Sequence, residues 1–198
     1  MSTTSVAQLL SLPADERGRA LLGLTEDQWF DRKSARVTAK ALADTEIGFA
    51  NAEGGTIVVG LGDGRVEGVD SSPVRLNEWQ QAPLDYTVPP VPAKTRLVGC
   101  VNDHGRGDHL LVIDVETSER VHENRRDEVY LRVGDENRRL AFHQRHELLY
   151  DKGQASYEAT PVRDAAADEL DEALLTRYAE AVVHPDPLRL LQARGLTS

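Results

Sequence analysis

The stretch Phe49–Asp63 constrains this chain most, because a helical pattern there changes into a strand pattern within a few residues. Apolar residues recur at helical spacing before it, which predicts an amphipathic helix over residues 37–52. Gly54 and Gly55 supply the backbone angles that end a helix. The next four residues, 56–59, are all β-branched and predict a buried strand.

A glycine-rich turn follows this strand. Gly60–Gly64 lets the backbone turn tightly and places Asp63 at its tip. Residues 65–69 then alternate polar and apolar side chains, as the return strand of a hairpin does. We therefore expect a hairpin over residues 56–69. The glycine pattern is not a dinucleotide-binding fingerprint, because it precedes a strand rather than a helix.

The rest of the chain is divided by proline and glycine breaks. Thr25–Gln28 has the form of a capping box, and the residues after it begin either a helix or a brief strand at 29–33. Pro83–Pro92 is proline-rich and is expected to be an extended loop. Periodicity predicts the remaining elements: helices over 3–12, 15–24, 72–81, 140–152 and 164–182, and strands over 94–101, 109–116 and 128–133.

Length and composition limit the class of protein. The chain has 198 residues, a formal net charge of −10 and a single cysteine, Cys100. This length suits one domain with an appendage and is sufficient to bury a sizeable core. One cysteine excludes an internal disulfide and a cysteine-built zinc site, and favours a cytoplasmic location. No run reaches the roughly 18 apolar residues of a membrane span, so we expect no membrane partner.

Two segments are basic although the chain as a whole is acidic. Asp31–Lys40 holds four basic side chains and one acid, and Arg120–Arg145 holds seven arginines and five acids. Local basic surfaces of this kind are compatible with contacts to the phosphates of a nucleic acid. The alternative is that these basic side chains simply lie on solvent-exposed faces of a helix and a strand.

Two motifs together resemble a known family. One is Phe49–Gly64, which contains Phe-Ala-Asn, Gly-Gly-Thr and Val-Val-Gly-Leu-Gly-Asp-Gly, and the other is Val129–Arg139. Both are similar to motifs of the Schlafen/Alba-like (Schlafen AlbA) family. The resemblance implies an α+β fold with a mixed, mostly antiparallel twisted sheet and flanking helices. It divides the chain into an N-terminal helical segment (1–24), the family domain (25–153), and a linker with a C-terminal helical extension (154–198).

The resemblance also implies a function. Family members of this bacterial type are described as DNA-binding proteins or transcriptional regulators, so we expect a module that contacts the phosphate backbone of DNA or RNA without a cofactor. The expected contacts are basic residues at the start of the predicted helix 37–52 and on or after the final strand: Lys33, Arg36, Lys40, Arg132, Arg138 and Arg139.

An alternative is a divalent-metal-dependent endoribonuclease acting on tRNA or rRNA, as in some animal relatives. The resemblance places the three acids of such a site at Glu26, Asp31 and Asp63, where they would hold Mg²⁺ or Mn²⁺. A further family motif, Glu-Ser-x-x-x-Glu-Phe-Lys, corresponds to Glu26–Lys33. This segment departs from the family pattern, because its second acid is aspartate and Arg32 stands where the family has phenylalanine. The structural alternative is that Glu26 belongs to a helix cap, Asp31 is a surface acid and Asp63 is a turn residue.

A third interpretation is an oligomerisation or protein-interaction unit. The last predicted helix, 164–182, carries an apolar stripe, and little chain remains to cover it. A homo-oligomer is therefore also expected.

Overall fold

A computed structural model describes residues 3–155 and 171–181. Contacts divide the chain into two units, residues 1–152 and 153–198. The first unit contains, in chain order, α1 (Thr3–Leu10), α2 (Ala14–Leu22), β1 (Phe30–Lys33), α3 (Ala39–Asn51), β2 (Gly55–Val59), β3 (Leu61–Gly62), β4 (Arg65–Val66), α4 (Pro73–Asp85), β5 (Thr87–Val88), β6 (Ala93–Val101), β7 (Gly107–Val115), β8 (Glu123–Asn124), β9 (Tyr130–Val133), β10 (Glu136–Arg139) and α5 (Phe142–Asp151). The second contains α6 (Glu172–Ala181).

The main sheet has four strands in the order β1-β2-β7-β6. The pair β1 and β2 is parallel, with Asp31 opposite Ile57, whereas β2–β7 and β7–β6 are antiparallel. Three two-stranded ribbons accompany this sheet. The predicted fold class is confirmed, since the protein is α+β with a mostly antiparallel sheet and flanking helices.

The two faces of the sheet bury separate cores. Ile57 and Val59 of β2 point to the side of α3 and α4, and Val58 points to the side of α1 and α2. This alternation is the period of two expected of a strand that is covered on both faces. The β-branched run identified in the sequence is therefore the centre of a three-layer arrangement of helices, sheet and helices.

The break between α3 and β2 is shaped by close backbone packing. The side chain of Thr38 caps α3 by accepting a hydrogen bond from the backbone N–H of Ala41. After α3 ends, Gly54 has a φ of 74°, and a Cβ there would lie 2.7 Å from the carbonyl oxygen of Val115. Only glycine fits this position, because both the backbone angle and the neighbouring strand exclude a side chain.

The two strands of the hairpin predicted over residues 56–69 do not pair with each other in the structure. The apolar strand β2 pairs with β1 and β7, and the return segment β4 pairs instead with β3. Gly60, with a φ of 108°, separates β2 from β3 and turns the chain out of the sheet. The turn with Asp63 at its tip is thus held on a small ribbon beside the sheet.

Several elements agree with the sequence predictions and some do not. The strands β6 and β7 form the predicted antiparallel pair, and residues 30–33 form a strand rather than a helix. The helix α4 continues to Asp85 and includes Pro83, so the extended loop expected over residues 83–92 begins later than predicted. Pro83 lies in the last turn, where its missing N–H removes a single helical hydrogen bond. The strand β10 was not predicted. Of the helix predicted over 164–182, residues 164–170 and 182 lie outside the described residues.

Candidate functional site

A buried ion pair lies between β1 and β9. Asp31 is completely buried, and its carboxylate accepts a hydrogen bond of 3.2 Å from Nη1 of Arg132. Lys33 reaches the same carboxylate, with Nζ 2.8 and 2.7 Å from its two oxygens. A charge removed from water requires such partners, and here two cations surround one acid.

Arg132 is held on all sides by the protein. Its guanidinium also donates to the backbone carbonyls of Asp27 and Phe30, and it lies 4.9 Å from the centre of the Phe49 ring. The residue is only 3% exposed. This position argues against the phosphate contact that we expected from Arg132 and gives the residue a structural role. An arginine in an alternating strand gives no sequence signal of such burial.

Glu26 lies next to Asp31. Its Oε1 atom accepts a hydrogen bond of 3.1 Å from the backbone N–H of Arg32. Burial raises the pKa of Glu26 above its usual value, and the nearby Asp31 carboxylate raises it further. Two of the three acids expected in a metal site are therefore close to each other.

The third acid, Asp63, has a different set of partners. Its carboxylate is exposed and forms an ion pair with Arg36, which also pairs with Glu67 at 3.0 Å. Within residues 3–155 and 171–181, no group of three histidine, cysteine, aspartate or glutamate side chains is placed to hold a metal ion. Asp31 already accepts hydrogen bonds from two cations. This donor arrangement does not fit Mg²⁺ or Mn²⁺, so we derive no metal-dependent step.

The Phe-Ala-Asn motif has a structural explanation. Asn51 is 3% exposed, and its Nδ2 donates to the carbonyls of His122 and Tyr130, each at 2.8 Å. Its Oδ1 accepts from the backbone N–H of His122, also at 2.8 Å. The side chain therefore joins the end of α3 to two later segments, which satisfies backbone groups that would otherwise be buried without partners.

An open groove runs past the starts of α3 and α4. Its first part is a cavity of about 820 Å³ that Arg36 and Arg75 help to line. Both residues also line a neighbouring cavity of about 330 Å³, which in turn shares Lys40 and Tyr86 with a third cavity of about 250 Å³. These shared side chains make the three cavities one continuous surface, which we call the α3–α4 groove.

The groove is lined by basic side chains, several of which have no acidic partner. Arg36 is paired with acids, as described above, and Arg126 is paired with Glu128 at 2.9 Å. Among the described residues, the cations of the groove that have no ion pair with an acid are Lys40, Arg65, Arg75 and Arg125. An anionic ligand can therefore bind these groups without displacing an acid of the protein.

The six predicted nucleic-acid contacts have different environments. Arg36 and Lys40 line the α3–α4 groove, and Lys33 is engaged with Asp31. Arg138 is exposed and pairs with Glu136 at 2.9 Å, while Arg139 pairs with Glu128 at 3.1 Å. Neither lines the groove, and Arg139 lines a separate cavity of about 470 Å³.

Tyr86 was not identified from the sequence, and neither were five of the cations that line the groove, namely Arg19, Arg65, Arg75, Arg125 and Arg126. Arg75 follows the helix start at Pro73 and gave a weak signal, since an arginine in a first helical turn does not complement the helix dipole. Its proximity to Arg36 comes from the packing of α4 on α3 and is not visible in either segment alone.

Comparison with known proteins supports the fold. The family model described as Schlafen, AlbA_2 matches residues 26–141. A crystal structure of the DIP2311 protein from Corynebacterium diphtheriae is similar, with a TM-score of 0.51 and 22% sequence identity. The match covers 97% of this chain and 40% of that one, so this chain spans less than half the length of its structural neighbour. No curated protein matches the chain. No helix among the described residues has the length and apolar character needed to span a membrane.

Proposed function

Since the chain belongs to the Schlafen, AlbA_2 family, we propose that it contains a nucleic-acid-binding module whose α3–α4 groove holds the phosphate backbone. The observation that carries this proposal is the continuity of the groove, in which one line of cavities joins Arg65, Arg75, Lys40 and Arg125. Phosphate contacts supply most of the affinity of proteins for nucleic acids in general.

The composition of the groove suits a backbone better than a small neutral ligand. Arginine offers a planar fork that matches two phosphate oxygens, whereas lysine acts as a mobile point charge. The Nζ atom of Lys40 lies 6.0 Å from the centre of the Tyr86 ring. An aromatic ring beside cations is also a surface on which an unpaired base stacks. The groove therefore favours a single strand or an unpaired region, in DNA or RNA.

The proposal includes a role in a bacterial transcriptional regulator, in which another region or a second copy supplies sequence specificity. The features that support a second copy are in α6, where Leu174 is 60% exposed. Sedimentation at several protein concentrations tests this part, and a monomer at every concentration contradicts it.

The experiment that tests the binding proposal uses labelled single strands, duplex DNA and structured RNA at two salt concentrations, with and without Mn²⁺. We expect binding that weakens steeply with salt and leaves every strand intact, because counterions are released when phosphates are neutralised. Absence of binding to all substrates contradicts the proposal. Cleavage that requires Mn²⁺ and is lost in Asp63→Asn contradicts it in favour of the endoribonuclease.

A further inference from the structure

The largest cavity of the groove differs from the rest in its concentration of arginines. Arg19, Arg36, Arg65 and Arg75 all line this space of about 820 Å³, which we call the α4 cavity. They come from four separate places, namely α2, the loop before α3, β4 and α4. Such convergence of like charges is unfavourable unless acids or a ligand compensate for it.

The three acids that line the cavity pair with only two of its four arginines. Asp103 pairs with Arg19 at 2.9 Å, and Asp63 and Glu67 both pair with Arg36. Among the described residues, neither Arg65 nor Arg75 has an ion pair with an acid. The hydrogen bond found for the Arg75 guanidinium is a 3.2 Å contact with the carbonyl of Ala35. The cavity thus presents two guanidinium groups that have no ion pair with an acid, and its lining carries four arginines against three acids.

The start of α4 opens into the same cavity. Ser71 and Ser72 line the space, and α4 is a helix of 13 residues with Pro73 at its first turn. The side chain of Ser72, at the N-cap position, accepts no hydrogen bond from the helix. The leading N–H groups of α4 are therefore without a side-chain cap. Together with the positive end of the helix dipole, they favour an anion at this position.

The wall of the cavity is held in place before any ligand arrives. Glu67 accepts hydrogen bonds from the hydroxyl of Ser34 at 2.7 Å and from the backbone N–H of Ala35 at 2.6 Å. A Cβ on Gly62 would lie 2.6 Å from the Cβ of Ser34, so this loop packs directly on the turn. Arg36 follows the fixed loop, which lowers the entropic cost of ordering it around a ligand.

We infer that the α4 cavity binds a phosphomonoester, either the terminal phosphate of a nucleic-acid strand or the phosphate of a nucleotide. A phosphomonoester carries close to two negative charges at neutral pH, whereas a backbone diester carries one. Arg65 and Arg75 supply two guanidinium groups that have no acid partner, and the start of α4 supplies N–H donors. The strand-end form of this inference rests on the proposed function, because it places the end of a bound strand at one end of the α3–α4 groove.

The test compares three oligonucleotides of one sequence, which carry a 5′-phosphate, a 3′-phosphate or hydroxyl groups at both ends. We expect one phosphorylated strand to bind the full chain about tenfold more tightly than the hydroxyl strand, since charge-assisted hydrogen bonds are strong. The variant Arg65→Gln/Arg75→Gln should abolish this difference. Arg96→Gln/Arg138→Gln serves as the matched control, because both are exposed arginines that do not line the cavity.

The outcomes separate this inference from the proposed function. Equal affinities for all three strands overturn the inference, while their shared dependence on salt still supports backbone binding. A nucleoside monophosphate that binds tightly when no strand binds supports the cavity and contradicts the strand-binding proposal. If Arg65→Lys/Arg75→Lys, which keeps the charge, loses the preference only in part, the planar contacts of arginine contribute in addition to charge.

Discussion

The guanidinium of Arg132 lies 3.2 Å from the carboxylate of Asp31, and the two side chains are 2% and 0% exposed. This contact joins two motifs that are about a hundred residues apart in the sequence, one at β1 and the other at β9. Both residues have the chemistry of a binding or catalytic site, but the structure uses them as an internal support. Of the six basic residues predicted as contacts, Arg36 and Lys40 line the α3–α4 groove.

Removal of Arg132 should therefore lower the free energy of unfolding rather than remove a contact with the nucleic acid. The variant Arg132→Ala leaves the Asp31 charge buried with Lys33 as its remaining cation, and breaking a buried pair costs about 3–5 kcal/mol. Urea unfolding measures this loss. Arg138→Ala is the control, because its pair with Glu136 is exposed and should contribute little. Equal stability of the two variants contradicts the supporting role of Arg132.

Asn51 should be intolerant even of aspartate. In Asn51→Asp, the side chain can no longer donate to the carbonyls of His122 and Tyr130. Two buried acceptors then lose their donor and meet a negative charge, for which we expect a loss of about 2–5 kcal/mol. The measurement is urea unfolding, with Asn77→Asp as a control at an exposed position of α4. A loss no greater than that of the control means that the Asn51 side chain does not hold these segments together.

Glu46 should make stability depend on pH. This residue of α3 is completely buried. Among the described residues, neither of its carboxylate oxygens has a hydrogen-bond partner. Burial raises its pKa from 4.5 to about 8. At a pH below the pKa of Glu46 in the unfolded chain, the carboxyl group is protonated in both the folded and the unfolded state. Its burial then costs no free energy of ionisation. As the pH rises towards 8, the unfolded state loses the proton that the folded state keeps, and folding becomes less favourable.

The variant Glu46→Gln removes this titration while keeping the size of the side chain. We expect its stability relative to the natural protein to increase with pH by about 1.4 kcal/mol per unit over this window. Urea unfolding at about pH 5.5 and about pH 7.5 gives the difference. The packing cost of the amide is the same at both values and cancels. A stability difference that is constant with pH contradicts the raised pKa.

Much of the fold is visible in local patterns. The spacing of apolar residues located α3, and the β-branched run located β2, because burial imposes periodicity on both elements. The antiparallel pair of β6 and β7 was predicted from two apolar runs around a turn. The parallel pairing of β1 with β2 was not predicted. The two strands are separated in the chain by the whole of α3, so no hairpin pattern indicates that they pair.

The candidate site was less accessible from sequence. Arg36 and Lys40 were identified because they stand together on one short segment, and both line the groove. Arg65 and Arg75 were missed because only the packing of α4 and the β3–β4 ribbon beside α3 brings them to the same cavity. Arg132 was misjudged because a charged residue in a strand is usually exposed.

The salt dependence of single-strand binding tests the central claim, that the α3–α4 groove holds the phosphate backbone, most directly. The variant Lys40→Ala/Arg75→Ala/Arg125→Ala is compared with Lys94→Ala/Arg96→Ala/Arg138→Ala, which removes three exposed cations elsewhere. We predict that the groove variant binds more weakly and that its slope of log K against log salt falls by about two units, at about 0.7 per phosphate. The control should keep nearly the natural slope. Equal slopes and affinities for the two variants would contradict the assignment of the groove.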